Sequence, residues 1–445
     1  MAPSLAPVRD MAPSPSVLND PVFGHAQLRA HFEDDAFIDA MVSVEKGLAR
    51  AQAALGIVPE TALVEIEALK RPDDASRLLR DGVATAGVPV PALVANLRRQ
   101  LSAEAADWLH FGATSQDIVD TAFCLRARSA LDDLGTLLAG LIDTLEALSR
   151  AHATTLMLAR TRGQLATPIT FGLRVAQWAQ PLIRLEAELA PMRVDVLRVQ
   201  LGGASGSRSV FGTEADAVTR QLAEGLGLGA GAPWHTDRSG FRRLAGWLGR
   251  LVAATAKIGR DIGISARVEI AELRLTDGGG SSTMPHKSNP VAAEALQALL
   301  PVAQGCEAGL AAAAVHAEER DGAYWPVEWA FLPMLFEIAG AGLAHAEAVF
   351  ATLDVDAAAM RSRLEAEPRV RAEAAVFALA QTVGRVEATR IVTTALASGR
   401  SLGDALADQD GLDRDAVFSD EAFSQPAART AAQIFSGRAS GEGSA

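Results

Sequence analysis

A glycine-rich stretch at residues 278–290, GGGSSTMPHKSNP, contains the densest group of chemically active side chains in the sequence. Ser281 and Ser282 supply hydroxyl groups, and His286 and Lys287 follow shortly after them. Three successive glycines allow the backbone to take positive φ angles and to open and close. Hydroxyls and a cation on a mobile backbone are typical of a lid that completes an anion-handling site. An ordinary linker rich in glycine and serine is the alternative.

The far end of this stretch carries a helix-start signal. Asn289 is placed to cap the N-terminus of a helix, and Pro290 is placed at its first position. Helix N-termini bind anions because their first backbone N–H groups are unpaired and the helix dipole is positive there. The ordered run from Met284 to Pro290 is unlike a linker, so we favour the lid.

A second stretch with suitable chemistry, HFGATSQD, runs from His110 to Asp117 directly before a helical pattern. Thr114 or Ser115 could cap that helix while presenting backbone N–H groups and hydroxyls to a carboxylate. A capping box with no further role is the alternative.

A third stretch, RTRGQLATP, runs from Arg160 to Pro168. Arg160, Arg162 and Gln164 surround Gly163. Guanidinium groups bind carboxylates through two parallel hydrogen bonds. The pattern therefore predicts a carboxylate site, with a solvated connection between helices as the alternative.

Partial matches to other catalytic motifs are rejected because the surrounding residues do not fit those motifs. Residues 227–232 fit a loose dinucleotide-binding pattern, but no strand pattern precedes them and Pro233 follows. The sequence has no GK[ST] phosphate loop, and Ser205 lacks the glycine spacing of a nucleophile elbow. The eight histidines are scattered without the spacing of metal ligands. We therefore expect neither a metal site nor a dinucleotide site.

Long helices must position these stretches. Apolar residues recur at three- and four-residue spacing over residues 124–148 and again over residues 241–262. A third apolar stripe covers residues 37–55 and stops at Gly56. Helices of this length with such stripes belong to a bundle packed at shallow crossing angles. Their length also favours packing between subunits.

The expected fold class is all-α, because Ala and Leu dominate and no alternating strand pattern is present. We expect three helical domains. Residues 1–106 would form an N-terminal domain with a loose arm, and residues 107–351 a central long-helix bundle that carries the glycine-rich loop. Residues 352–445 would form a small C-terminal domain with a disordered tail.

The bulk composition argues against several classes of partner. The formal net charge is −13, and both nucleic acid and anionic membranes require a basic surface. Glutamate or histidine interrupts the apolar stretches 296–315 and 329–350, so we expect buried bundle helices and no membrane span. Cys124 and Cys306 lie far apart, which predicts free thiols in a reducing cytoplasm. No signal peptide is predicted.

The stretch 278–290 resembles the signature GSSxMPxKxNP of the fumarase/aspartase superfamily. The stretches 110–117 and 160–168 resemble the other two shared regions of that superfamily, in the same order and with similar spacing. The resemblance covers nearly the whole chain. It implies an all-α enzyme that needs no cofactor and no metal. It also implies a homotetramer in which each active site draws the three regions from different subunits.

Within the superfamily, the chain most resembles the branch of bacterial 3-carboxy-cis,cis-muconate cycloisomerases. The further stretches that carry this resemblance are DPVFG at 20–24, ARAQAALG at 49–56, AGVPVP at 86–91, PWHT at 233–236, ER at 319–320 and WPVEW at 325–329. Lyases similar to adenylosuccinate lyase carry a leaving-group acid, His, at the position of Arg162, and a His-Asp pair within the region of 88–91. Guanidinium groups stay protonated near neutral pH, so Arg162 cannot be that acid. A cycloisomerase does not need one, because the group that leaves or attacks is the substrate's own carboxylate.

The resemblance implies a small tricarboxylate substrate and assigns proton transfer to Ser281. Lys287 would stabilise the alkoxide of Ser281, and His286 is a second candidate proton carrier. The residues that would hold the carboxylates and the developing charge are His110, Thr114, Ser115, Arg162, Gln164, Thr283, Met284, Asn289 and Arg320. Two alternatives are kept: a fumarate-releasing lyase such as an adenylosuccinate lyase, and a catalytically silent bundle protein of the same fold.

Overall fold

The computed structural model describes residues 18–276, 278–280, 283–284, 287–410 and 412–439. Helices dominate the described residues, so the predicted all-α class is confirmed. Ser281 and His286, two of the predicted catalytic residues, lie outside the described residues.

Seven described helices precede residue 115. They are α1 (Asp20–Phe23), α2 (Ala26–Ala30), α3 (Asp34–Ala53), α4 (Glu60–Glu67), α5 (Ala75–Ala86), α6 (Val90–Arg98) and α7 (Ala103–Trp108). The predicted apolar stripe over residues 37–55 lies on α3, where Met41, Val44 and Leu48 are buried. Gly56 follows the end of α3 with φ +71°, as expected for a residue that stops a helix.

The longest helices occur between residues 115 and 352. The helices of this region are α8 (Ser115–Ala151), α9 (Phe171–Val196), α10 (Ala215–Leu226), α11 (Ser239–Ser265), α12 (Val291–Ala313) and α13 (Trp325–Thr352), with a 3-10 helix at Ser209–Glu214. The C-terminal helices are α14 (Ala357–Ala366), α15 (Ala372–Val383), α16 (Arg385–Ala397), α17 (Leu402–Ala405), α18 (Arg414–Phe418) and α19 (Asp420–Ala439), with a 3-10 helix at Pro368–Arg371.

The two apolar stripes predicted at 124–148 and 241–262 lie on α8 and α11. Every stripe residue of α11 is buried, and every stripe residue of α8 is buried except Leu148, which is half-buried. These helices bury one continuous face because apolar residues three and four positions apart share a side of the helix. The prediction of long bundle helices is confirmed.

Three small antiparallel sheets accompany the helices. Their strands are β1 (Leu156–Thr161), β2 (Gln164–Thr170), β3 (Leu273–Leu275), β4 (Gly279–Gly280), β5 (Ser288–Asn289) and β6 (Leu353–Val355). β1 pairs with β2, β3 with β6, and β4 with β5. The sequence analysis found no strands because β3 to β6 are too short to show alternation, and Pro168 interrupts the pattern of β2.

The helix α13 is long and apolar enough to span a membrane by length and composition alone. More than half of its most apolar window, 56%, is buried inside the protein. Glu328 and Glu337 on this helix form ion pairs with Arg238 and Arg29. Ion-paired glutamates at a buried and a half-buried position are typical of a core helix, which is the interpretation predicted from the sequence.

Packing divides the chain into two compact units, each built from separate chain segments. The first unit contains residues 1–137, 188–253 and 298–344, and the second contains residues 138–187, 254–297 and 345–445. The predicted division in chain order, 1–106, 107–351 and 352–445, stays a prediction. The predicted site residues His110, Thr114, Ser115 and Arg320 belong to the first unit, and the other predicted site residues that the structure describes belong to the second.

Candidate active site

The N-terminus of α8 is the centre of the candidate site in the first unit. The carbonyl of Thr114 accepts the helical hydrogen bond of Asp117 N at 3.0 Å, and the Asp117 carboxylate accepts from Thr114 N at 3.0 Å. The capping carboxylate therefore belongs to Asp117, and no side-chain hydroxyl caps this helix. The hydroxyls of Thr114 and Ser115 have no hydrogen-bond partner among the described residues. The proposed role of both hydroxyls in binding substrate stays a prediction.

The Asp117 carboxylate also fixes a glycine-rich segment, residues 200–206, which we call the glycine strap. It accepts hydrogen bonds from Gly202 N at 2.7 Å, Gly203 N at 2.9 Å and Gln200 Nε2 at 3.1 Å. Burial raises the pKa of Asp117 to about 6, and the donated hydrogen bonds oppose that rise. The glycine strap is thereby held against the start of α8. The sequence analysis gave Asp117 no role of its own and named Thr114 or Ser115 as the cap.

Arg320 joins the start of α8 to the glycine strap. Its Nε donates to Gln116 Oε1 at 3.1 Å, and its two terminal nitrogens donate to the carbonyls of Ala204 at 3.1 Å and Gly203 at 3.2 Å. All three acceptors are neutral, and no described carboxylate forms an ion pair with Arg320. The guanidinium is half-buried, so its charge is held in place and stays available to a substrate carboxylate.

His110 lies at the same end of the first unit, in a left-handed backbone conformation with φ +64°. Its Nδ1 lies 2.7 Å from Glu45 Oε1, and Glu45 is 1% exposed. Burial by itself would lower the pKa of His110, but the charge and hydrogen bond of Glu45 outweigh it and raise the pKa. Nδ1 is thereby engaged, and Nε2 has no partner among the described residues. Glu45 was missed, although a carboxylate inside the apolar stripe of α3 was a usable signal.

A buried ion cluster supports the start of α8 from within the first unit. Arg238, which is 2% exposed, donates to Asp120 Oδ2 at 2.7 Å and forms a two-bond pair with Glu328. Trp325 Nε1 donates to Asp120 Oδ1 at 2.9 Å. Burial raises the pKa of Glu328 to about 7, although Arg238 opposes this. Removing one member would leave an uncompensated buried charge, so the cluster rigidifies this end of the fold.

His235 lies beside the glycine strap. Its carbonyl accepts from Gln116 Nε2 at 2.9 Å, while its ring Nδ1 is buried without a described partner. A Cβ on Gly206 would lie 2.4 Å from His235 Cε1, so glycine is required there by close approach. Burial, together with Arg320 and Arg238, lowers the pKa of His235. The ring is therefore neutral near pH 7.

In the second unit, β1 and β2 form a hairpin whose two-residue turn is Arg162-Gly163. Both turn residues have positive φ angles, +52° and +79°, as a type I′ turn requires. A left-handed conformation is unfavourable for an arginine. The Arg162 side chain is exposed, and no described carboxylate pairs with it. Gln164, the next predicted anchor, begins β2 and is exposed as well.

Arg160 does not share this role. Its two terminal nitrogens donate to the two carboxylate oxygens of Glu272 at 2.9 and 2.8 Å, and Glu272 is fully buried. The expectation that Arg160 and Arg162 converge on one external carboxylate is therefore wrong, because an internal carboxylate already occupies Arg160. Arg160 braces the hairpin that presents Arg162.

The two short strands β4 and β5 pair within the signature stretch 278–290, in the second unit. Gly279 pairs with Asn289 and Gly280 pairs with Ser288, so the predicted residues Thr283, Met284 and Lys287 lie in the loop between the two strands. The described residues of this loop are exposed, and Lys287 N donates to Met284 O at 3.0 Å. The structure thus presents these side chains to solvent from a closed hairpin base.

Two expectations about this stretch are corrected. Gly279 and Gly280 do not have positive φ angles; a Cβ on Gly279 would lie 2.5 Å from Val291 Cγ2, so close approach requires glycine there. Asn289 is not the helix cap, because it lies in β5, and α12 begins at Val291. The carbonyl of Pro290 accepts the hydrogen bond of Glu294 N at 3.0 Å.

Within the part of the chain that the structure describes, no group of three or more His, Cys, Asp or Glu side chains has the arrangement of a metal site. Cys124 and Cys306 are buried free thiols. Burial raises the pKa of Cys124 to about 12 and that of Cys306 to about 11. Both thiols are therefore unsuited to nucleophilic chemistry.

Comparison with known proteins identifies relatives along almost the entire chain. A family model described as a lyase matches residues 26–305. A 3-carboxy-cis,cis-muconate cycloisomerase of Bradyrhizobium diazoefficiens is 38% identical over 395 residues, which cover 86% of this chain and 87% of that protein. A nitrosuccinate lyase of Streptomyces davaonensis is 35% identical over 432 residues, which cover 92% of this chain and 88% of that protein.

The fold also has a solved counterpart. The crystal structure of the 3-carboxy-cis,cis-muconate lactonizing enzyme from Pseudomonas putida matches with a TM-score of 0.86 and 34% identity. The match covers 96% of this chain and 100% of that one. The family model, the relatives and the structural match all agree with the resemblance carried by the three motif stretches. The chain belongs to the lyase family, within the fumarase/aspartase superfamily.

Proposed function

We propose that this enzyme catalyses the reversible lactonisation of 3-carboxy-cis,cis-muconate to 4-carboxymuconolactone, a reaction of protocatechuate catabolism. The observation that carries the proposal is Arg162, an exposed cation without a described carboxylate partner. It stands where lyases similar to adenylosuccinate lyase carry an acid His. The likeness to a cycloisomerase over 86% of the chain supports the same conclusion.

The proposed reaction is an internal addition. In the lactonising direction, one carboxylate oxygen attacks the ring-closing alkene carbon, and a C–O bond forms as the C=C π bond breaks. The electron pair moves toward the conjugated carboxylate, and the carbon α to that group takes up one proton. In the opposite direction the ring carboxylate is the leaving group and needs no proton. A fixed cation at Arg162 suits this chemistry, because it balances carboxylate charge throughout.

The first unit supplies two groups suited to the substrate's carboxylates. Arg320 bonds only to neutral acceptors, so its positive charge is not cancelled by an internal partner. His110 is held through Nδ1 by Glu45, which leaves Nε2–H to donate to an anion. The free hydroxyls of Thr114 and Ser115 would add two further donors. These local donors would attract a tricarboxylate, whereas the overall charge of −13 repels it.

We assign the proton transfer to Ser281, because residues 278–290 resemble the superfamily signature. A serine hydroxyl is a weak base unless its alkoxide is stabilised. Lys287 and the backbone N–H groups of the loop would supply that stabilisation, and His286 is the second candidate proton carrier. Thr283, Met284 and Asn289 would contact the substrate from the same hairpin, together with Gln164.

The enzyme would act as a homotetramer whose active sites combine the three motif stretches from different copies. Arg162, Gln164 and Lys287 support this proposal, because all three are exposed side chains of the second unit that carry polar groups toward solvent. A neighbouring copy could bring such groups to a substrate. Sedimentation analysis tests the assembly, and a monomer with full activity would contradict it.

A fumarate-releasing lyase is the second candidate, because a nitrosuccinate lyase is 35% identical over most of the chain. An ultraviolet assay separates the two. Purified enzyme is given 3-carboxy-cis,cis-muconate, and loss of the conjugated diene absorbance is followed, with nitrosuccinate and adenylosuccinate in parallel. Rapid diene loss with no fumarate from the other substrates supports the cycloisomerase. Fumarate release with an unchanged diene would overturn the proposal and leave the family intact.

A further inference from the structure

Gln116, the second residue of α8, is a fully buried side chain in contact with Arg320. Both N–H groups of its amide have an acceptor. Nε2 donates to the His235 carbonyl at 2.9 Å and to Asp120 Oδ2 at 3.2 Å. Asp120 lies four residues further along α8, where side chains on one face of a helix meet. The amide oxygen, Oε1, is left to accept from Arg320 Nε at 3.1 Å.

These contacts allow only one orientation of the Gln116 amide. Turned over, the amide would place its oxygen against the oxygens of Asp120 and His235. Its N–H groups would then face the Nε–H group of Arg320. Acceptor would oppose acceptor and donor would oppose donor. The two acceptors on the amide nitrogen therefore fix the amide oxygen toward the guanidinium.

Asp120 is itself held in place by two other side chains. Its Oδ2 accepts from Arg238 at 2.7 Å, and its Oδ1 accepts from Trp325 Nε1 at 2.9 Å. Asp120 is buried, and it is ionised in its pair with Arg238. A carboxylate in place of the Gln116 amide would lie beside Asp120, and two buried like charges repel each other strongly. The surroundings of Gln116 therefore favour a neutral side chain.

The neutral amide leaves the charge of Arg320 uncancelled. A guanidinium group has five N–H donors. Gln116 binds the one on Nε, and the carbonyls of Ala204 and Gly203 each bind one on a terminal nitrogen. One N–H group on each terminal nitrogen has no described acceptor, and none of the three acceptors carries a formal charge. The half-buried guanidinium is thus fixed in direction while its charge stays available to an external carboxylate.

We propose that Gln116 is a positioning residue for substrate binding, whose amide directs the Arg320 guanidinium without neutralising it. The proposal rests on the substrate-binding role that the proposed function gives to Arg320. Gln116 does not touch the substrate, because it is fully buried. Its contribution passes through Arg320 and affects affinity more than turnover. Each substrate considered above is an anion with more than one carboxylate, so this role is the same for a cycloisomerase and for a fumarate-releasing lyase.

A double-mutant cycle in KM tests the proposal on the full-length enzyme. Gln116→Met keeps the length of the side chain and removes the amide, and Arg320→Gln removes the guanidinium. Gln116→Met should raise KM about tenfold with kcat almost unchanged, as expected for the loss of a charged hydrogen bond used in binding. In the Arg320→Gln background the same change should leave KM unaltered, because its route to the substrate is already absent.

Two further variants and the melting temperature separate this role from a purely structural one. Gln116→Asn keeps an amide for the buried acceptors but is too short to reach Arg320 as well, so it should show the same coupling. Gln116→Glu would neutralise Arg320 and should raise KM at least as much as Gln116→Met. Gln116→Met leaves Asp120 and the His235 carbonyl without a donor, so it should lower the melting temperature similarly in both backgrounds. Equal increases of KM in both backgrounds would overturn the proposal.

The result can be told apart from failure of the proposed function. KM is measured with 3-carboxy-cis,cis-muconate, or with whichever lyase substrate the ultraviolet assay shows to be turned over. Calorimetric binding of propane-1,2,3-tricarboxylate, which has no double bond and no leaving group, gives the same comparison without turnover. A normal KM in Arg320→Gln would overturn this proposal together with the assigned role of Arg320. A raised KM in Arg320→Gln with a normal KM in Gln116→Met would overturn this proposal alone.

Discussion

The Nδ1 atom of His110 lies 2.7 Å from a carboxylate oxygen of Glu45, inside the apolar stripe of α3. Attraction between the two groups is strong there, because little water screens it. Burial by itself would lower the pKa of His110, but Glu45 outweighs burial and raises it. Glu45 therefore keeps the imidazole protonated to a higher pH than usual and fixes the direction of its Nε2–H.

The first prediction concerns the pH dependence that this pair creates. In Glu45→Gln, burial is opposed only by the weaker attraction of Asp117, so the pKa of His110 falls. The pH at which kcat/KM declines on the alkaline side should therefore move down. Asp39→Asn, which changes an exposed carboxylate on the same helix, is the control. An unchanged pH profile in Glu45→Gln would show that His110 does not bind substrate as a cation.

The same pair makes a prediction for stability. The folded-state pKa of His110 is raised above its ordinary value of 6.5. Its stabilising contribution is therefore complete below pH 6.5 and is lost as the pH rises through the raised value. Urea denaturation of wild type and Glu45→Gln at several pH values measures this. The difference in free energy of unfolding should shrink as the pH rises, and a difference that grows with pH would contradict the assignment.

The raised pKa of Asp117 predicts that the free energy of unfolding depends on pH in the range where carboxyl groups titrate. Its folded-state pKa is about 6 against an ordinary 3.8, so the folded protein binds more protons than the unfolded protein between these values. The contribution of Asp117 to the free energy of unfolding should fall by ~2 kcal/mol as the pH rises from 4 to 6. The difference between wild type and Asp117→Asn should show that slope. A difference independent of pH would mean that the carboxylate is not desolvated.

Arg162 predicts a trade-off between stability and activity. Its φ of +52° is unfavourable for arginine, whereas asparagine before glycine is preferred in a type I′ turn. Arg162→Asn should therefore raise the free energy of unfolding by about 0.5–1 kcal/mol. It should lower kcat/KM by about 10- to 100-fold, through loss of charged hydrogen bonds. Arg267→Asn, at an exposed arginine elsewhere in the second unit, is the control.

Two results would count against this account of Arg162. Full activity in Arg162→Asn would remove it from the substrate site. A loss of stability would mean that the side chain has a structural partner and that the strained turn is not kept for function.

Substitution of Arg320 is predicted to lower substrate affinity with little change in stability. Its acceptors are one amide oxygen and two carbonyls, which water can replace at this half-buried position. Arg320→Gln should lower kcat/KM by about 100-fold, mainly by raising KM. The kcat/KM of Arg320→Lys should lie between those of the wild type and Arg320→Gln. Steady-state kinetics and thermal denaturation measure both effects. A large drop in the melting temperature with normal KM would make Arg320 a structural residue.

The long helices could be predicted because helical periodicity is a local property of the sequence. The stripes on α8 and α11 required no knowledge of their partners. The motif stretches containing Thr114 and Arg162 could be singled out for the same reason, since turn and cap chemistry is local. Membership of the superfamily was indicated by the resemblance of residues 278–290 to its signature and of the other two stretches to its shared regions.

Long-range pairing could not be predicted in this way. Arg160 is paired with Glu272, which lies 112 residues further along the chain, so the sequence could not show that its charge is already used. The same limit applies to Asp117. Its carboxylate oxygens accept hydrogen bonds from backbone N–H groups of the glycine strap. The glycines at 279 and 206 were likewise required by close contacts with Val291 and His235, which only the folded chain reveals.

The most direct test of the central claim is the mass of the product formed in heavy water. Wild type and Ser281→Ala are incubated with 3-carboxy-cis,cis-muconate, and the products are analysed by mass spectrometry. An internal lactonisation gives a single product with the composition of the substrate acid and one deuterium fixed to carbon, and Ser281→Ala should slow it by several orders of magnitude while the melting temperature is unchanged. Two smaller products, or a single product formed equally fast by Ser281→Ala, would contradict the account.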